Sequence, residues 1–305
     1  MSEYRAQGRG GKGVRAMATK EEDYVETVFT ASTHDNILFF TDLGRVFIKK
    51  GYHIPEAGRN ARGSNIINII QIENGEKVSA MIRARGLEED KFLFFVTRFG
   101  TVKRMPQSAL RNIRTSGIRA LTLDEGDHLI SVIPTDGAEN ILIATRNGLA
   151  VCFDENDVRP MGRVATGVRG IRLRDGDYVV GAGSTSAGET LLSITEKGYG
   201  KRTAVEEYSV HGRGGLGMKN YNVTEKTGPV ADVKMVRPGE DILVISNDGT
   251  IIRLAADSVS LLSRATQGVR VMRVLPGSRV ISMEKTDQES EETEGTEEIN
   301  TTTEE

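Results

Sequence analysis

The sequence predicts an all-β protein built from radially arranged, four-stranded blades, and three observations support this. One pattern recurs along the chain: a short apolar run, a polar turn that ends in glycine, and a second strand that often carries Lys or Arg. Helical periodicity is absent over any long window, and 34 glycines among 305 residues are typical of a turn-rich chain. Repeats of about 50 residues with four short strands each indicate blades around an axis. The repeat turns contain Gly44, Gly100, Gly148, Gly198 and Gly249.

Each repeat is predicted to contribute four strands in a fixed order. The first strands are apolar without strict alternation, so we expect inner strands buried on both faces. Turns such as Asn147-Gly148 and Asp248-Gly249 predict tight hairpins in which both central residues take positive φ. A third strand, such as residues 66–70, and a fourth strand after an acidic or Pro-Gly turn complete the blade. The long loop before the third strand carries a second glycine: Gly63, Gly117, Gly167, Gly214 or Gly268.

The repeat assigns residues 1–285 to one β-domain. Residues 2–14 align without a gap on residues 206–218 and share a tyrosine, an arginine and four glycines with them. We therefore expect residues 1–35 to be the second half of a blade, so that the chain begins inside a blade and is a piece of a longer polypeptide. The whole blades are predicted at about 36–83, 91–134, 140–183, 189–236 and 241–284.

The formal charge of −3 combines two parts of opposite sign. Residues 286–305 hold nine of the 43 acidic residues and no base, so the first 285 residues carry a net charge of +6. The acidic segment has almost no apolar residues, which predicts a disordered tail. No apolar run is long enough for a membrane span and no signal peptide opens the chain, so we expect a cytoplasmic protein without membrane contact. One cysteine and four scattered histidines favour neither a disulfide nor a metal site.

Residues 7–13, QGRGGKG, hold four glycines and two cations, which suits the stretch to phosphate contact through cations and exposed N–H groups. The stretch matches the dinucleotide-binding pattern G-x-G-x-x-G in sequence, but no predicted strand precedes it and no predicted helix follows it, so a dinucleotide site is not expected. The long loops and hairpins of the repeats add further cations. The residues predicted to contact phosphate are Gln7, Arg9, Gly10, Gly11, Lys12, Gly13, Arg15, Arg45, Lys49, Lys50, Arg59, Arg62, Lys103, Arg104, Arg111, Arg114, Arg119, Arg163, Arg169, Lys201, Arg202, Arg213, Arg253, Arg264 and Arg270.

The acidic residues fall in the other connecting turn, for example at Glu73, Glu76, Asp175 and Asp177. Because this separation repeats blade by blade, we expect one basic rim and an acidic region elsewhere. A curved array of cations suits a long polyanion that is held by its phosphates, with strong salt dependence and little sequence specificity. Aromatic platforms for stacking single strands are not evident, so duplex DNA is the expected partner.

Residues 7–13 and the repeats that follow resemble the C-terminal domain of the A subunit of bacterial DNA gyrase, whose box reads Gln, base, Arg, Gly, Gly, base, Gly. The resemblance covers residues 1 to about 284 and includes ITEKGYGKRTAVEEY and RPMGRVATGVRGIRL. It implies a six-bladed β-pinwheel that wraps duplex DNA for negative supercoiling by an ATP-dependent type II topoisomerase. Gly8 departs from the box, because the family has a base there.

The same resemblance implies how this piece fits into an enzyme. The N-terminal portion of the gyrase A subunit would carry the cleavage tyrosine. The B subunit would handle ATP with magnesium, in an assembly of two A and two B subunits at the nucleoid. This chain shows no nucleophile, paired-carboxylate or nucleotide motif, so we expect no cofactor and no catalysis from it alone. Two alternatives stay open: the corresponding domain of topoisomerase IV, which lacks an intact box, and a protein-interaction propeller.

Overall fold

The computed structural model describes residues 7–11, 14–15, 31–56, 64–84, 87 and 90–287. This part of the chain is all-β, as predicted, and contains no α-helix. Seven short 3-10 turns lie at Gly51–His53, Ile66–Asn68, Gln107–Leu110, Glu155–Asp157, Thr185–Ala187, Val205–Glu207 and Ala256–Ser258. The strands are β1 (Val14–Arg15), β2 (Asn36–Thr41), β3 (Arg45–Lys50), β4 (Val78–Ala84), β5 (Phe92–Thr97), β6 (Thr101–Pro106), β7 (Ile118–Arg119), β8 (Leu129–Thr135), β9 (Asn140–Thr145), β10 (Leu149–Asp154), β11 (Val168–Arg169), β12 (Val179–Ser184), β13 (Thr190–Thr195), β14 (Tyr199–Ala204), β15 (Met218–Lys219), β16 (Val230–Val236), β17 (Glu240–Ser246), β18 (Thr250–Ala255), β19 (Val269–Arg270) and β20 (Val280–Asp287).

The strands form five antiparallel sheets of four, which are the blades of a propeller-like ring. The sheet orders are β4-β2-β3-β7, β8-β5-β6-β11, β12-β9-β10-β15, β16-β13-β14-β19 and β20-β17-β18-β1. The last strand of each repeat lies innermost, and neighbouring inner strands contact one another from β4 round to β20. The outermost strand comes from the following repeat in every blade. The expectation that one repeat supplies all four strands of its own blade is therefore wrong.

The opening segment takes the same place in this exchange of outer strands. Strand β1 pairs with β18 of the last blade, with Val14 opposite Ile251 and Arg15 opposite Thr250. The first segment of the chain thus follows the last repeat around the ring and joins the two ends of the chain. A sixth blade built around residues 1–35 stays a prediction, because most of those residues lie outside the described ranges.

The hairpin turns take a different backbone conformation from the predicted one. The described residues with positive φ are all glycines, and they include Gly148 at 82° and Gly249 at 79°, whereas Asn147 and Asp248 do not have positive φ. The Gly148 N–H donates to the Thr145 carbonyl at 3.1 Å. This is a type I turn followed by one left-handed glycine, which forms a bulge, rather than a turn with two left-handed residues. Only the glycine is required, which explains why the preceding residue varies from repeat to repeat.

The core lies between neighbouring blades. The first strand of each repeat is buried along nearly its whole length, which confirms the expectation of burial on both faces. In strand β5, Phe94 packs against Phe153 of the next blade, and Phe95 packs edge-on against Phe40 of the preceding blade. Alternate side chains of one strand therefore fill two different interfaces. The blades are held together by apolar surface that no single blade could bury alone.

Three further expectations about the fold need correction. Residues 66–70 begin with a 3-10 turn over Ile66–Asn68 and are not a strand. The glycine equivalent to Gly117 and Gly167 is Gly217, which precedes the short strand β15, and not Gly214. Strand β20 extends to Asp287, so the acidic tail cannot start at residue 286. The rest of the tail, residues 288–305, lies outside the described residues.

Candidate nucleic-acid interface

The outermost strands present one exposed cation each at the same position. Strands β7, β11, β15 and β19 are two residues long, and the second residue of each is exposed while the first is partly buried. Strand β1 has the same sequence pattern, ending in Arg15, although its side chain lies outside the described part. Because these strands form the outer edge of the sheets, the cations lie on the perimeter. They are Arg119, Arg169, Lys219 and Arg270.

Sequence reasoning included the three arginines of this set but missed Lys219. The signal was present, since Lys219 is the residue that aligns with Arg15 when residues 2–14 are matched to 206–218. Its ammonium donates to Asn222 Oδ1 at 3.0 Å, and the Arg270 guanidinium donates to the Tyr199 hydroxyl at 2.8 Å. Both partners are neutral, and no carboxylate in the described ranges contacts either of these exposed cations.

A glycine before each short strand sets how closely the loop approaches the neighbouring blade. Gly217 has a φ of +83°, and a Cβ built there would lie 2.7 Å from the Ala150 carbonyl oxygen. At Gly117 the same atom would lie 2.7 Å from the Phe47 ring. Any side chain would push the loop away from the blade and break the short strand pairing that follows. These glycines therefore determine the position of the short strands and of the perimeter cations that the strands carry.

The box loop comprises residues 7–13, and its described part, residues 7–11, packs on the last blade. The Gln7 N–H donates to the Arg253 carbonyl and the Gly10 N–H to the Val271 carbonyl, each at 2.7 Å. Gly11 forms a bridge with Met272. Arg9 is exposed, and its guanidinium donates to Ser260 Oγ at 2.7 Å. Of the other box residues, Gly8 is open to solvent, while Lys12 and Gly13 lie outside the described residues.

Residues 211–217, HGRGGLG, form the equivalent loop on the blade that contains β10 and use the same kind of anchor. The His211 N–H donates to the Cys152 carbonyl at 2.8 Å, and the Gly214 N–H donates to the Gly170 carbonyl. The exposed Arg213 donates to two backbone carbonyls, at Asp157 and Arg169, each at 3.0 Å. The aligned arginines thus lie at the same place on two different blades, which is what the sequence alignment predicts.

The other long-loop arginines divide into exposed and partly held groups. Arg111, Arg114 and Arg163 are exposed. Arg264 is half-buried, donates to the Lys219 carbonyl at 2.9 Å and lies 4.0 Å from a Glu207 carboxylate oxygen. Arg59 and Arg62 lie outside the described ranges. The arginine-rich loops therefore do reach the surface wherever the structure describes them.

Two of the predicted hairpin cations are instead fully buried. Lys103 donates to the carbonyls of Ala120 at 2.6 Å and Arg163 at 2.8 Å, and Lys201 donates in the same way to Ser263 and Arg264. Burial lowers the pKa of each lysine from 10.5 to about 8, and Arg163 adds repulsion at Lys103. Each lysine therefore fixes the backbone of the loop that carries an arginine of the next repeat. Its ammonium is not available to phosphate.

The hairpin arginines are engaged in ion pairs. Arg104 lies 3.1 Å from buried Glu155, Arg253 lies 2.8 Å from Asp241, and Arg202 lies 2.7 Å from Asp257. Arg45 pairs with Glu76 at 2.8 Å and donates across the blade interface to the Ser116 carbonyl. Lys49 and Lys50 are half-buried. The interpretation of these hairpin residues as DNA contacts remains a prediction, and their burial and pairing argue against it for Lys103, Arg104, Lys201 and Arg253.

Three of the acidic turn residues serve the fold rather than an exposed acidic region. Glu76, Asp127 and Asp177 are buried. Asp127 accepts from the N–H groups of Phe99 and His128, and Asp177 makes the same pair of bonds in the next repeat. These carboxylates fix the hairpin turn against the inner strand. In the described part of the chain, no helix is long and apolar enough to cross a membrane, and no group of three His, Cys, Asp or Glu side chains could hold a metal ion.

Comparison with protein families identifies a match along nearly the whole chain. The family described as DNA gyrase C-terminal domain, beta-propeller, matches residues 1–32, 35–85, 91–136, 139–186, 189–237 and 240–287. The six segments follow the repeat derived from the sequence, and the first of them contributes the strand that completes the last blade.

Individual proteins agree with this match. The chain is 48% identical over 297 residues to the DNA gyrase A subunit of Clostridium acetobutylicum, covering 97% of the chain and 36% of that protein. It is 44% identical over 306 residues to the Staphylococcus aureus protein of the same name, covering 99% of the chain and 34% of that protein. The chain thus spans about a third of the length of these curated relatives.

Solved structures share the fold. A DNA gyrase A C-terminal domain superposes with a TM-score of 0.83 at 26% identity, covering 93% of each chain. The C-terminal domain of a DNA topoisomerase IV superposes with a TM-score of 0.76 at 25% identity, covering 90% of this chain and 85% of that one. The architecture is therefore common to both kinds of protein, and the surface must distinguish between them.

Proposed function

This chain belongs to the DNA gyrase C-terminal domain, beta-propeller, family, and from that premise we propose that it binds duplex DNA and wraps it around its outer edge. In this proposal the wrapped DNA is presented to a cutting core on the rest of the gyrase A subunit. ATP bound with magnesium by the B subunit then drives strand passage that introduces negative supercoils. In this proposal the chain requires no cofactor of its own for wrapping and catalyses no step. Its contribution is to set the path of the DNA.

The observation that carries the proposal is the set of equivalent cations on the outermost strands, Arg119, Arg169, Lys219 and Arg270. Blades arranged around an axis place equivalent positions along an arc, and an arc of cations suits a curved duplex better than a straight one. Lys and Arg side chains that meet phosphates release counterions, so the affinity falls steeply with salt. Because no base edge needs to be read, binding should depend little on sequence.

The energetics require several contacts on each blade. Bending 20 to 30 base pairs smoothly costs on the order of 1–6 kcal/mol. The exposed arginines of the long loops, such as Arg163 and Arg213, add contacts beside those of the outer strands. In this proposal the box loop, with Arg9 and Lys12, holds the last segment of the arc begun on the other blades. The family's base at position 8 is a glycine here, which removes one cation from that clamp.

The test is ligation of nicked circular DNA in the presence of the chain, with the linking number read at two salt concentrations. We expect a positive shift that shrinks at the higher salt. A rim variant, in which the four outer-strand cations Arg119, Arg169, Lys219 and Arg270 are each changed to Gln, should lose most of the shift. It should also reduce the slope of log affinity against log salt by about 3 to 4, because each phosphate contact contributes about 0.9.

A matched control variant removes the same charge from other exposed positions, namely Arg83, Arg174, Lys197 and Arg237, each changed to Gln. It should keep most of the linking-number shift. Equal losses in the two variants would show that net charge, and not the perimeter, controls wrapping. Binding by wild type without any shift would favour a relaxing relative of the topoisomerase IV kind, and no binding at all would favour a protein-interaction propeller.

A further inference from the structure

A cavity of about 680 Å³ lies at the centre of the ring, away from the perimeter. It is lined by residues that occupy the same two positions in successive repeats: the residue after the first strand, and the residue before the inner strand. In each repeat the backbone N–H of the residue after the first strand donates to the carbonyl of the residue before the inner strand. The Arg98 N–H donates to the His128 carbonyl in this way, and the Arg146 N–H donates to the Tyr178 carbonyl. The carbonyls of Arg98 and Arg146 in turn accept hydrogen bonds from the backbone N–H groups of Val179 and Val230 in the next blade's inner strand. The lining is therefore fixed by main-chain bonds between blades.

The cavity contains more cations than acids. Lys77, Arg98, Arg146 and Arg279 come from four different repeats, whereas the acidic side chains in the lining are Asp42 and Glu196. Arg146 is 3.2 Å from Glu196, and His128 Nδ1 is 3.7 Å from Asp42. Counting histidine as neutral, the described lining carries a net charge of +2. Asp42 and Glu196 offset two of the four positive charges, and a bound anion would offset the remainder.

Several hydrogen-bond donors in the cavity have no acceptor. The Arg98 guanidinium lies 4.1 Å from the centre of the Tyr178 ring and makes no hydrogen bond to the described residues. Arg146 approaches the same ring to 5.6 Å, and its buried Nε has no hydrogen-bond partner, nor has the buried His128 Nδ1. A buried donor without an acceptor costs about 1–3 kcal/mol. An anion between Arg98 and Arg146 would accept hydrogen bonds from both guanidinium groups.

We propose that the central cavity binds a pyrophosphate group, either free or carried by a nucleoside. Guanidinium groups match phosphate oxygens with paired N–H donors, and cations on separate blades suit a ligand with more than one charged phosphorus centre. The volume lies in the range of small-ligand pockets, about 300–1,000 Å³. The lining also includes apolar side chains, among them Ile130 and Val180, which could contact the base of a nucleoside-borne ligand.

The experiment measures binding of sodium pyrophosphate to the full chain by isothermal titration at constant ionic strength. We expect saturable binding with one ligand per chain. Arg98→Gln and Arg146→Gln should each weaken it about tenfold or more, as loss of a charge-assisted hydrogen bond does. Arg159→Gln, which removes an exposed arginine outside the cavity, should leave the affinity unchanged. Identical binding to wild type and to both cavity variants would overturn the proposal.

Further titrations distinguish free pyrophosphate from a nucleoside-borne group, and they test whether the ligand binds at the perimeter cations instead of in the cavity. Tighter binding of ATP without magnesium than of pyrophosphate indicates a nucleoside-borne group, and the reverse indicates free pyrophosphate. Saturable binding of adenosine that matches ATP would refute a phosphate site. The rim variant should keep the pyrophosphate affinity while losing the linking-number shift, so failure here and failure of DNA wrapping are distinguishable. Loss of pyrophosphate binding in the rim variant, or its displacement by duplex DNA, would assign the binding to the perimeter instead.

Discussion

The buried lysine of the second blade provides a test of how the rim is positioned. Lys103 has no exposed surface, and its ammonium contacts two carbonyls, one of which belongs to Arg163 in a long loop that we propose contacts DNA. Replacing it with Met keeps most of its volume and removes its charge. The change eliminates the cost of burying an ammonium and leaves two buried carbonyls without that donor, so its effect near neutral pH combines two opposite contributions.

The pH dependence separates these contributions. Burial lowers the pKa of Lys103 from 10.5 to about 8, which corresponds to about 3 kcal/mol between the charged and neutral forms. Below pH 8 the lysine is charged in both the folded and unfolded states, so the full penalty is present and does not change with pH. Between pH 8 and 10.5 the folded state has lost the proton and the unfolded state retains it. The free energy of unfolding then rises with pH by about 1.4 kcal/mol per unit.

The assay is urea unfolding of wild type and Lys103→Met at pH 7, 8, 9 and 10. We expect the free energy of unfolding of wild type to rise by about 2 to 3 kcal/mol relative to that of the variant between pH 8 and 10. Between pH 7 and 8 the difference between the two proteins should hardly change. Lys197→Met, which alters an exposed lysine, should track wild type throughout. If the difference between wild type and Lys103→Met stays constant from pH 7 to 10, the lysine is not buried as a charged donor and the account of the loop anchor fails.

Three other perturbations test separate parts of the structure. Gly217→Ala should lower the free energy of unfolding by about 2 kcal/mol or more, because its Cβ would overlap the neighbouring blade. Gly176→Ala, which lies in open space at a similar φ, should lower it by about 1 kcal/mol. Urea unfolding measures both values. Arg104→Met should cost about 3 kcal/mol in the same assay because it leaves Glu155 charged and buried; a loss below 1 kcal/mol would contradict this. Deleting residues 288–305 removes acids and should tighten DNA binding at low salt in a titration; unchanged affinity would leave the tail a solubility role.

The hairpins and the first strand of each repeat could be predicted from the sequence because each carries a local signal. The left-handed conformation at Gly44 or Gly198 is accessible to glycine and is costly for other residues, so the turns are readable one by one. The apolar first strands are equally clear. The exchange of outer strands gave no such signal, since a strand of two residues, such as Val168–Arg169, has no periodicity and its partner is about 70 residues away.

The candidate site was predicted only in part, because the presence of Lys or Arg in the sequence does not determine the direction in which the side chain points. In a strand, neighbouring residues face opposite sides, so Lys103 and Arg104 enter two different interfaces and neither faces solvent. The repeat itself contained the missing signal. Val151 and Cys152 occupy the same two positions in the next blade, and apolar residues at equivalent positions indicate buried sites. The long-loop arginines have no apolar equivalents at most of their positions, and four of them, Arg111, Arg114, Arg163 and Arg213, are exposed. Their contact with DNA stays a prediction.

The exchange of outer strands also explains why such short strands can carry the rim. Arg169 pairs with Thr101 of the preceding blade, and the Gly170 N–H beside it donates to the Gly100 carbonyl. The loop before it is tied to the same blade by Lys103. Each perimeter cation is thus held by main-chain bonds that cross between repeats, and the entropy of ordering its loop is lost on folding rather than on binding DNA. In the proposed wrap, an outward pull of the bent duplex on these residues would pass into two blades at once instead of into one exposed hairpin.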